Sequence, residues 1–388
     1  MPSAMPLDAD RSALQIVSLV KANGELELSV AAFCVPRPGP EEVLLRVEAA
    51  PINPSDLMLL LAGADTTQLA AMGTPERPRL IGKVPSTASL TLRLEQPVPA
   101  GNEGAGTVVE AGSSPAAQAL LGKIVSVAPG GGMYATYRVV RADQCLPLNA
   151  GATALDGASA YINPLTALGF VETMRREHHT ALVNTAAASN LGQMLVRICL
   201  KDGIPLVNVV RSAAQVARLK EIGATHVCDS SAPTFLTDLT DAIAATGATI
   251  AFDCVGGGKL GGQILSCMES AINRKASAYS RYGSSTHKQL YLYGGLDPSP
   301  TEFVRNFGLA WSIGGWLVTP LLLTLEPARV AALKQRIATE LTTTFASAYT
   351  ERVSLTEALQ LSAVRHYAKK ATGAKYLVTP HPVGGERY

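Results

Sequence analysis

Short apolar runs, closely punctuated by Pro and Gly, fill the first third of the chain. Residues 41–50 (EEVLLRVEAA) alternate as a half-buried strand does, and residues 106–111 (GTVVEA) and 123–128 (KIVSVA) keep the same period of two. Their spacing predicts a compact, barrel-like β-rich domain. Residues 64–100 break the pattern, and their prolines and Ser/Thr-rich stretch predict an inserted loop region. From about Ala152 the rhythm changes. Apolar runs at 181–184, 206–210, 226–228, 250–254 and 289–293 alternate with helix-length segments, the first two helices ending near Lys201 and Ile222. These runs are continuous, as strands buried on both faces are, and βαβ order requires a parallel sheet with helices on both sides. The expected fold class is α/β, a doubly wound parallel sheet joined to a β-rich domain. A helix over 327–341 and a closing strand over 375–379 follow, the strand placed to pair back with the first domain. The predicted divisions are residues 1–154, 155–318 and 319–388.

Composition narrows the function classes. With 388 residues and 47% apolar content, the chain can fill two cores. A net charge of +2 and the lack of a Lys/Arg run argue against a nucleic-acid partner. The cysteines at 34, 145, 199, 228, 254 and 267 lie singly, so neither a zinc ribbon nor a disulfide framework is indicated, and a reducing cytoplasm is expected. The first residues carry acids early and lack the apolar h-region of a signal peptide. Residues 306–325 (NFGLAWSIGGWLVTPLLLTL) hold no charge and are just long enough to span a bilayer. Their glycines, Pro320 and unbiased flanks favour a buried helix plus a bend, so no membrane partner is expected.

Residues 180–211 (TALVNTAAASNLGQMLVRICLKDGIPLVNVVR) read as strand, tight turn of small residues, helix and strand. A dinucleotide pyrophosphate needs that arrangement, because amides at a helix N-terminus face it and small side chains let it approach. The glycine fingerprint is reduced: Gly192 remains, while Ala188, Ser189, Asn190 and Leu191 occupy the rest of the turn. Asn190 is the residue placed to adopt a left-handed conformation where glycine is usual. The second strand ends in Arg211 and Ser212, where an acidic residue would hold the ribose hydroxyls of NAD. A guanidinium fork beside a hydroxyl suits the 2′-phosphate of NADP instead. As a solvated strand end, the same pair would have no ligand.

Seven segments in order now align with a family. The chain resembles the zinc-independent medium-chain dehydrogenase/reductase superfamily, in particular NADPH:quinone oxidoreductases and 2-enoyl thioester reductases. The resemblance rests on APINPSD (50–56), GNEGAG (101–106), MYATYRVV (133–140), NPLTALG (163–169), the turn at 186–192 with NVVR (208–211), DCVGG (253–257) and YGGL (293–296). It implies a GroES-like catalytic domain made from both chain ends around a Rossmann domain, and dimerisation as a homodimer. It also implies that Asn163 and Thr166 lie beside the nicotinamide, Val255, Gly256 and Gly257 on the adenosine side, and Tyr293, Gly294, Gly295 and Leu296 near the carboxamide. Zinc-dependent relatives place a Cys and a His in the first two segments; here APINPSD has no Cys and Asn102 stands where the His would be. No set of three metal ligands can be assembled, so no metal is expected.

Without a Lewis acid, the accessible chemistry is hydride addition from NADPH to acceptors that are already electrophilic, namely quinones and conjugated enones. Asn53, Ser55 and Asp56 follow a strand and face the substrate cleft by the resemblance; Asn-Pro-Ser-Asp is equally a turn and helix N-cap. Enoyl thioester reductases carry a Tyr shortly after this motif, and LLLAGADTTQ (59–68) has none. Tyr134, Tyr137 and Tyr161 remain as donors or as packing residues. Enoyl thioester reduction and NADPH binding without turnover are therefore the two alternatives. Residues 270–288 are inserted relative to the family and serve as cofactor cover, substrate mouth, subunit contact or plain surface loop.

Overall fold

The computed structural model describes residues 11–370 and 375–381. The chain divides into two compact units, Met1–Ile162 with Arg336–Tyr388, and Asn163–Gln335. Residues 155–162 group with the first unit and 319–335 with the second. A side-chain bond ties residues 319–335 to the helix that opens the second unit: Arg329 Nε donates to Glu172 at 3.0 Å.

The first unit begins with β1 (Ser12–Val20), β2 (Glu25–Cys34) and β3 (Glu42–Pro51), followed by α1 (Pro54–Leu61). Residues 64–100 are not loop throughout. They hold β4 (Ala70–Thr74) and β5 (Arg77–Lys83), a hairpin whose second strand pairs antiparallel with β2 from Glu25↔Lys83 to Ser29↔Arg79. With β6 (Val98–Pro99) they form a five-stranded sheet in the order β4-β5-β2-β1-β6. All five residues of β4 are exposed, so the apolar alternation that marks a strand in a sequence is missing there. The returning segment is fastened by Arg93, which donates to the Leu59 carbonyl at 2.5 Å and Ser18 Oγ at 2.6 Å and so satisfies the C-terminal end of α1. Then come β7 (Gly104–Ala111), α2 (Pro115–Gln118), β8 (Ile124–Val127), β9 (Tyr137–Arg141), β10 (Leu146–Pro147) and α3 (Ala154–Gly157).

The second unit opens with α4 (Ile162–Arg176). It runs β11 (Leu182–Asn184), α5 (Asn190–Asp202), β12 (Leu206–Val210), α6 (Ala213–Glu221), β13 (His226–Asp229), α7 (Phe235–Thr246), β14 (Ile250–Asp253), β15 (Gly256–Gly258), α8 (Leu260–Asn273), β16 (Lys288–Leu292), β17 (Asp297–Thr301) and β18 (Trp311–Gly315). Six of these strands form a sheet in the order β13-β12-β11-β14-β16-β18, every pair parallel. Successive residues of β11 show why the runs read as continuous apolar: Val183 joins a core with Phe235, Leu239, Ile264 and Met268, while its buried neighbours Leu182 and Asn184 point to the other face. On that other face Phe170 of α4 stacks on Phe252 with ring centroids 4.0 Å apart.

Residues 306–325 depart from the expected buried helix with a bend. WSIGG is the edge strand β18, and only Val318–Thr324 (α9) is helical, with Leu323 exposed. Among the described residues no helix is long and apolar enough to cross a membrane. The stretch before β16 is pinned from beneath: the buried Glu269 carboxylate accepts from Ser284 N at 2.7 Å, Ser284 Oγ at 2.6 Å and the buried Lys288 ammonium at 2.6 Å. After α10 (Pro327–Thr339) the chain ends in β19 (Glu351–Val353) and β20 (Tyr376–Val378). The latter pairs antiparallel with β3, Leu377 opposite Pro51, completing a sheet ordered β10-β8-β7-β3-β20-β19 with β9 also on β3.

Candidate functional site

In the second unit the strand order reverses between β11 and β14, and the loops leaving the carboxyl ends of such strands form the ligand crevice of an open α/β sheet. The loop after β11 turns sharply into α5. Its positive backbone angle falls on Ala186 (φ 44°) and not on Asn190, which is the first residue of the helix. Ser189 is the N-cap, its Oγ accepting from Gly192 N at 3.1 Å. Gly192 is required by space: a Cβ there would lie 2.1 Å from the Ala187 carbonyl oxygen. The helix therefore starts hard against the turn, and its first-turn amides, which have no intrahelical acceptor, converge on the space beside Ala188, Ser189, Asn190 and Leu191. One strand over, Arg211 is exposed at the end of β12; its backbone N–H donates to Gln215 Oε1 at 3.0 Å, and among the described residues its guanidinium makes no hydrogen bond or ion pair. Ser212 caps α6, its side chain accepting from Gln215 N.

The loops after β14 and β16 are pressed together. Gly256 (φ 80°) approaches the Gly294 carbonyl so closely that a Cβ would sit 2.8 Å from it, and Leu296 N donates to the Cys254 carbonyl at 3.0 Å. Asp253 is the knot: Thr185 Oγ1 donates to it at 2.6 Å, Val255 N at 2.9 Å and Gly256 N at 3.2 Å. It joins the exit of β11 to the loop after β14. Tyr293 packs edge-on against Phe170, centroids 4.8 Å apart. Asn163, Thr166 and Phe170 follow a 3–4 spacing on α4 and so share one face of that helix. All the residues assigned from the sequence to the cofactor thus belong to the second unit, on the segments that leave the sheet's carboxyl ends or on α4.

The three residues expected at the substrate belong to the first unit, and all are sealed. Asn53 and Asp56 form a capping box at the start of α1, Asp56 Oδ2 accepting from Asn53 N at 2.8 Å and Oδ1 from Asn102 N at 2.7 Å. Burial pushes the Asp56 carboxyl up to about 7, against the pull of those two N–H donors. Tyr134 is fully buried with its hydroxyl donated to the Pro51 carbonyl at 3.0 Å. Asn53 Nδ2 reaches on to Glu103 at 2.8 Å, and the other Glu103 oxygen accepts from Tyr161 N at 3.1 Å and Ile162 N at 2.8 Å. Glu103 is completely buried, which raises its pKa.

Behind this network lies a second set that the sequence reading did not single out. Lys375 Nζ donates to Ser159 Oγ at 2.7 Å, and the Tyr349 hydroxyl donates to the same oxygen at 2.8 Å. Lys375 Nζ also lies 5.1 Å from the centroid of the Tyr349 ring. No local motif announces these groups, because Ser159 is 190 residues from Tyr349 and 216 from Lys375. Asp253 and Thr185 had a signal, the Asp that precedes the glycine loop, but their pairing depends on neighbouring strands.

Comparison with known proteins gives the same architecture. Residues 39–150 match the family model of the alcohol dehydrogenase GroES-like domain. Mitochondrial enoyl-[acyl-carrier-protein] reductase from Xenopus tropicalis is 30% identical over 200 residues, 50% of this chain and 49% of that protein. The chain therefore spans about half the length of the curated relatives it matches. The solved structure of a putative NADPH:quinone reductase from Mesorhizobium loti is 26% identical, with a TM-score of 0.71 over 97% of this chain and 100% of that one. The Etr1p complex with NADP and crotonyl-CoA, at 21% identity and a TM-score of 0.66 over 95% and 99% of the two chains, shares the fold.

Proposed function

In a chain that belongs to the medium-chain dehydrogenase/reductase superfamily, we propose that the second unit binds NADPH and that the protein reduces a quinone or conjugated enone without a metal. The observation that carries this reading is the turn at Gly192, which leaves no room for a side chain, with the exposed Arg211 guanidinium one strand away. The pyrophosphate falls to the first-turn amides of α5 with Ala188, Ser189, Asn190, Leu191 and Gly192, and the 2′-phosphate to Arg211 and Ser212. Val255 and Gly256 border the adenosine, and Asn163, Thr166, Tyr293, Gly294, Gly295 and Leu296 the nicotinamide. NADPH, when bound, supplies a hydride.

The first unit, with the returning C-terminal segment, is the catalytic domain in this reading. Its polar residues support metal-free chemistry. Asn53, Ser55, Asp56, Asn102 and Glu103 include no imidazole or thiolate, and the Asp56 and Glu103 oxygens are engaged by N–H donors. Asn53 and Asp56 set the start of α1 and the 102–103 backbone rather than exchange protons, and Tyr134 anchors the Pro51 carbonyl. A homodimer in a reducing compartment is the expected state, checked by sedimentation.

The second reading is reduction of an enoyl thioester, favoured by the naming of the curated relatives. One experiment separates the cases. NADPH fluorescence is followed on adding the protein, then its oxidation with benzoquinones, enones and crotonyl thioester. Oxidation by quinones or enones at higher kcat/KM than by the thioester is expected. Preference for the thioester selects the second reading, and saturable binding with no oxidation by any acceptor makes the protein a binding module.

A further inference from the structure

We infer that Thr185 is a positioning residue for the dinucleotide: its hydroxyl fixes the loops after β14 and β16 against the turn before α5. The inference deepens the NADPH reading above and rests on it. Every residue it uses belongs to the second unit.

Thr185 follows β11 directly and is fully buried. Its N–H still donates to the Phe252 carbonyl at 3.1 Å, and the next residue, Ala186, already has the positive backbone angle of the turn. A hydroxyl carries one donor and two acceptor sites, and here both kinds are used. Oγ1 donates to Asp253 Oδ1 at 2.6 Å and accepts from Cys254 N at 3.0 Å. Asp253 is buried as well, so a bond lost here has no bulk water to replace it.

Beyond Asp253 the two loops are stitched into one piece. Tyr293 N donates to the Asp253 carbonyl at 2.9 Å, Leu296 N to that of Cys254 at 3.0 Å and Asp297 N to that of Val255 at 2.9 Å. β15 and β17 then pair in parallel, Gly256 opposite Asp297, and Thr301 Oγ1 donates to the Gly256 carbonyl at 2.8 Å. Glycine at 294 lets the backbones touch, since a Cβ there would lie 2.8 Å from the Cys254 oxygen. The Thr185 hydroxyl joins this piece to the turn, through the Asp253 carboxylate and the Cys254 amide at once.

The use of the carboxylate supports the same role. A buried carboxylate is costly unless its oxygens are occupied. Asp253 spends Oδ1 on Thr185 and on Val255 N, and Oδ2 on Gly256 N. Two of those donors shape its own loop, and the third arrives from a neighbouring strand. In the NADPH reading Val255 and Gly256 border the adenosine, Gly294, Gly295 and Leu296 the carboxamide, and the turn holds the pyrophosphate. One dinucleotide then leans on both sides of the joint, and Thr185 acts on it through these loops.

The test uses the whole protein with NADPH and NADH and needs no acceptor. Thr185→Val removes the hydroxyl at nearly constant size. Loosening the joint leaves groups to be ordered on binding, so both Kd values are expected to rise about 3–10-fold. Their ratio stays unchanged, because Arg211 is not involved. The fluorescence enhancement of NADPH at saturation is expected to fall, because the loop at the carboxamide is no longer fixed. Thr185→Ser keeps the hydroxyl and is expected to restore both affinities and the enhancement. A hydroxyl that only supports the fold would lower the melting temperature of Thr185→Val and leave binding by the folded protein alone. Where thermal unfolding shows that Thr185→Val has not folded, Asp253→Asn supplies the same measurements, since its NH₂ must face one of the three donors. Wild-type affinity and enhancement in a folded Thr185→Val or Asp253→Asn, a changed ratio of the two Kd values, or a Ser variant as weak as the Val variant overturns the positioning role. A wild type that binds neither nucleotide overturns the cofactor reading itself.

Discussion

Gly192→Ala isolates the turn to which the proposed function assigns the pyrophosphate. The added Cβ would lie 2.1 Å from the Ala187 oxygen, 2.5 Å from its carbonyl carbon and 2.7 Å from its Cα. Ordinary contact needs about 3.4 Å or more, and all three atoms are backbone. The helix and turn must therefore separate by roughly 1 Å, with no flexible side chain to give way. Overpacking of this kind costs about 1–3 kcal/mol. Replacing Gly by Ala in a helix returns about 1 kcal/mol, so the net loss of stability is about 0–2 kcal/mol. At about 2–4 °C per kcal/mol for a unit of this size, the melting point drops by no more than about 8 °C. Binding suffers more, because a displacement of about 1 Å in a positioning element is worth up to about 100-fold. NADPH affinity measured by fluorescence is expected to fall at least 10-fold while the protein remains folded by thermal unfolding. Wild-type affinity in Gly192→Ala would refute the assignment of this turn to the pyrophosphate.

Three further outcomes follow from named contacts. Arg211→Ala should weaken NADPH by about 10–100-fold, the worth of about 1.5–3 kcal/mol for bonds to a charged phosphate, and leave NADH unchanged; equal loss for both nucleotides in calorimetry would remove the 2′-phosphate role. Asp56→Asn must turn an NH₂ toward one of two N–H donors and should destabilise the first unit by about 1–3 kcal/mol in urea. Because folding raises Asp56 from 3.8 to about 7, the folded state keeps a proton that the unfolded chain has lost, so its contribution to stability falls as pH rises through that window, and the variant should lose this slope. Lys288→Met strands the buried Glu269 carboxylate and should cost about 3–5 kcal/mol, with faster tryptic cleavage at Arg281. In the wild type, Glu269 is held down to about 2 by Lys288 and Ser284 against the cost of burial, so its contribution is complete above 4.5 and is lost as pH falls from there toward about 2; urea midpoints across that range check the sign.

The parallel sheet was legible in the sequence because strands buried on both faces leave mostly apolar runs without alternation, as β11, β12 and β14 do. The first βα turn was legible for a different reason, since Gly192 and the small residues before it answer a local steric demand. The hairpin β4–β5 was not legible, because an exposed edge strand has no buried face to impose alternation. Nor was β18, whose uncharged residues suit a helix as readily as a strand until β16 lies beside it, Lys288 opposite Trp311. Ala186 took the left-handed backbone expected of Asn190, since the position of the turn is set by how α5 abuts Ala187.

What the sequence by itself determined, then, is everything imposed on the chain locally: the periods of its elements, the tight turn before α5 and the Arg211 that follows the second strand. The polar site of the first unit was decided only in three dimensions. Glu103 meets Asn53 because β7 lies beside β3, and Lys375 meets Ser159 because β20 closes the same sheet on the other side of β3. A charge buried by pairing between distant strands leaves no mark on the residues next to it in sequence. Its chemistry exists only once the sheet has closed.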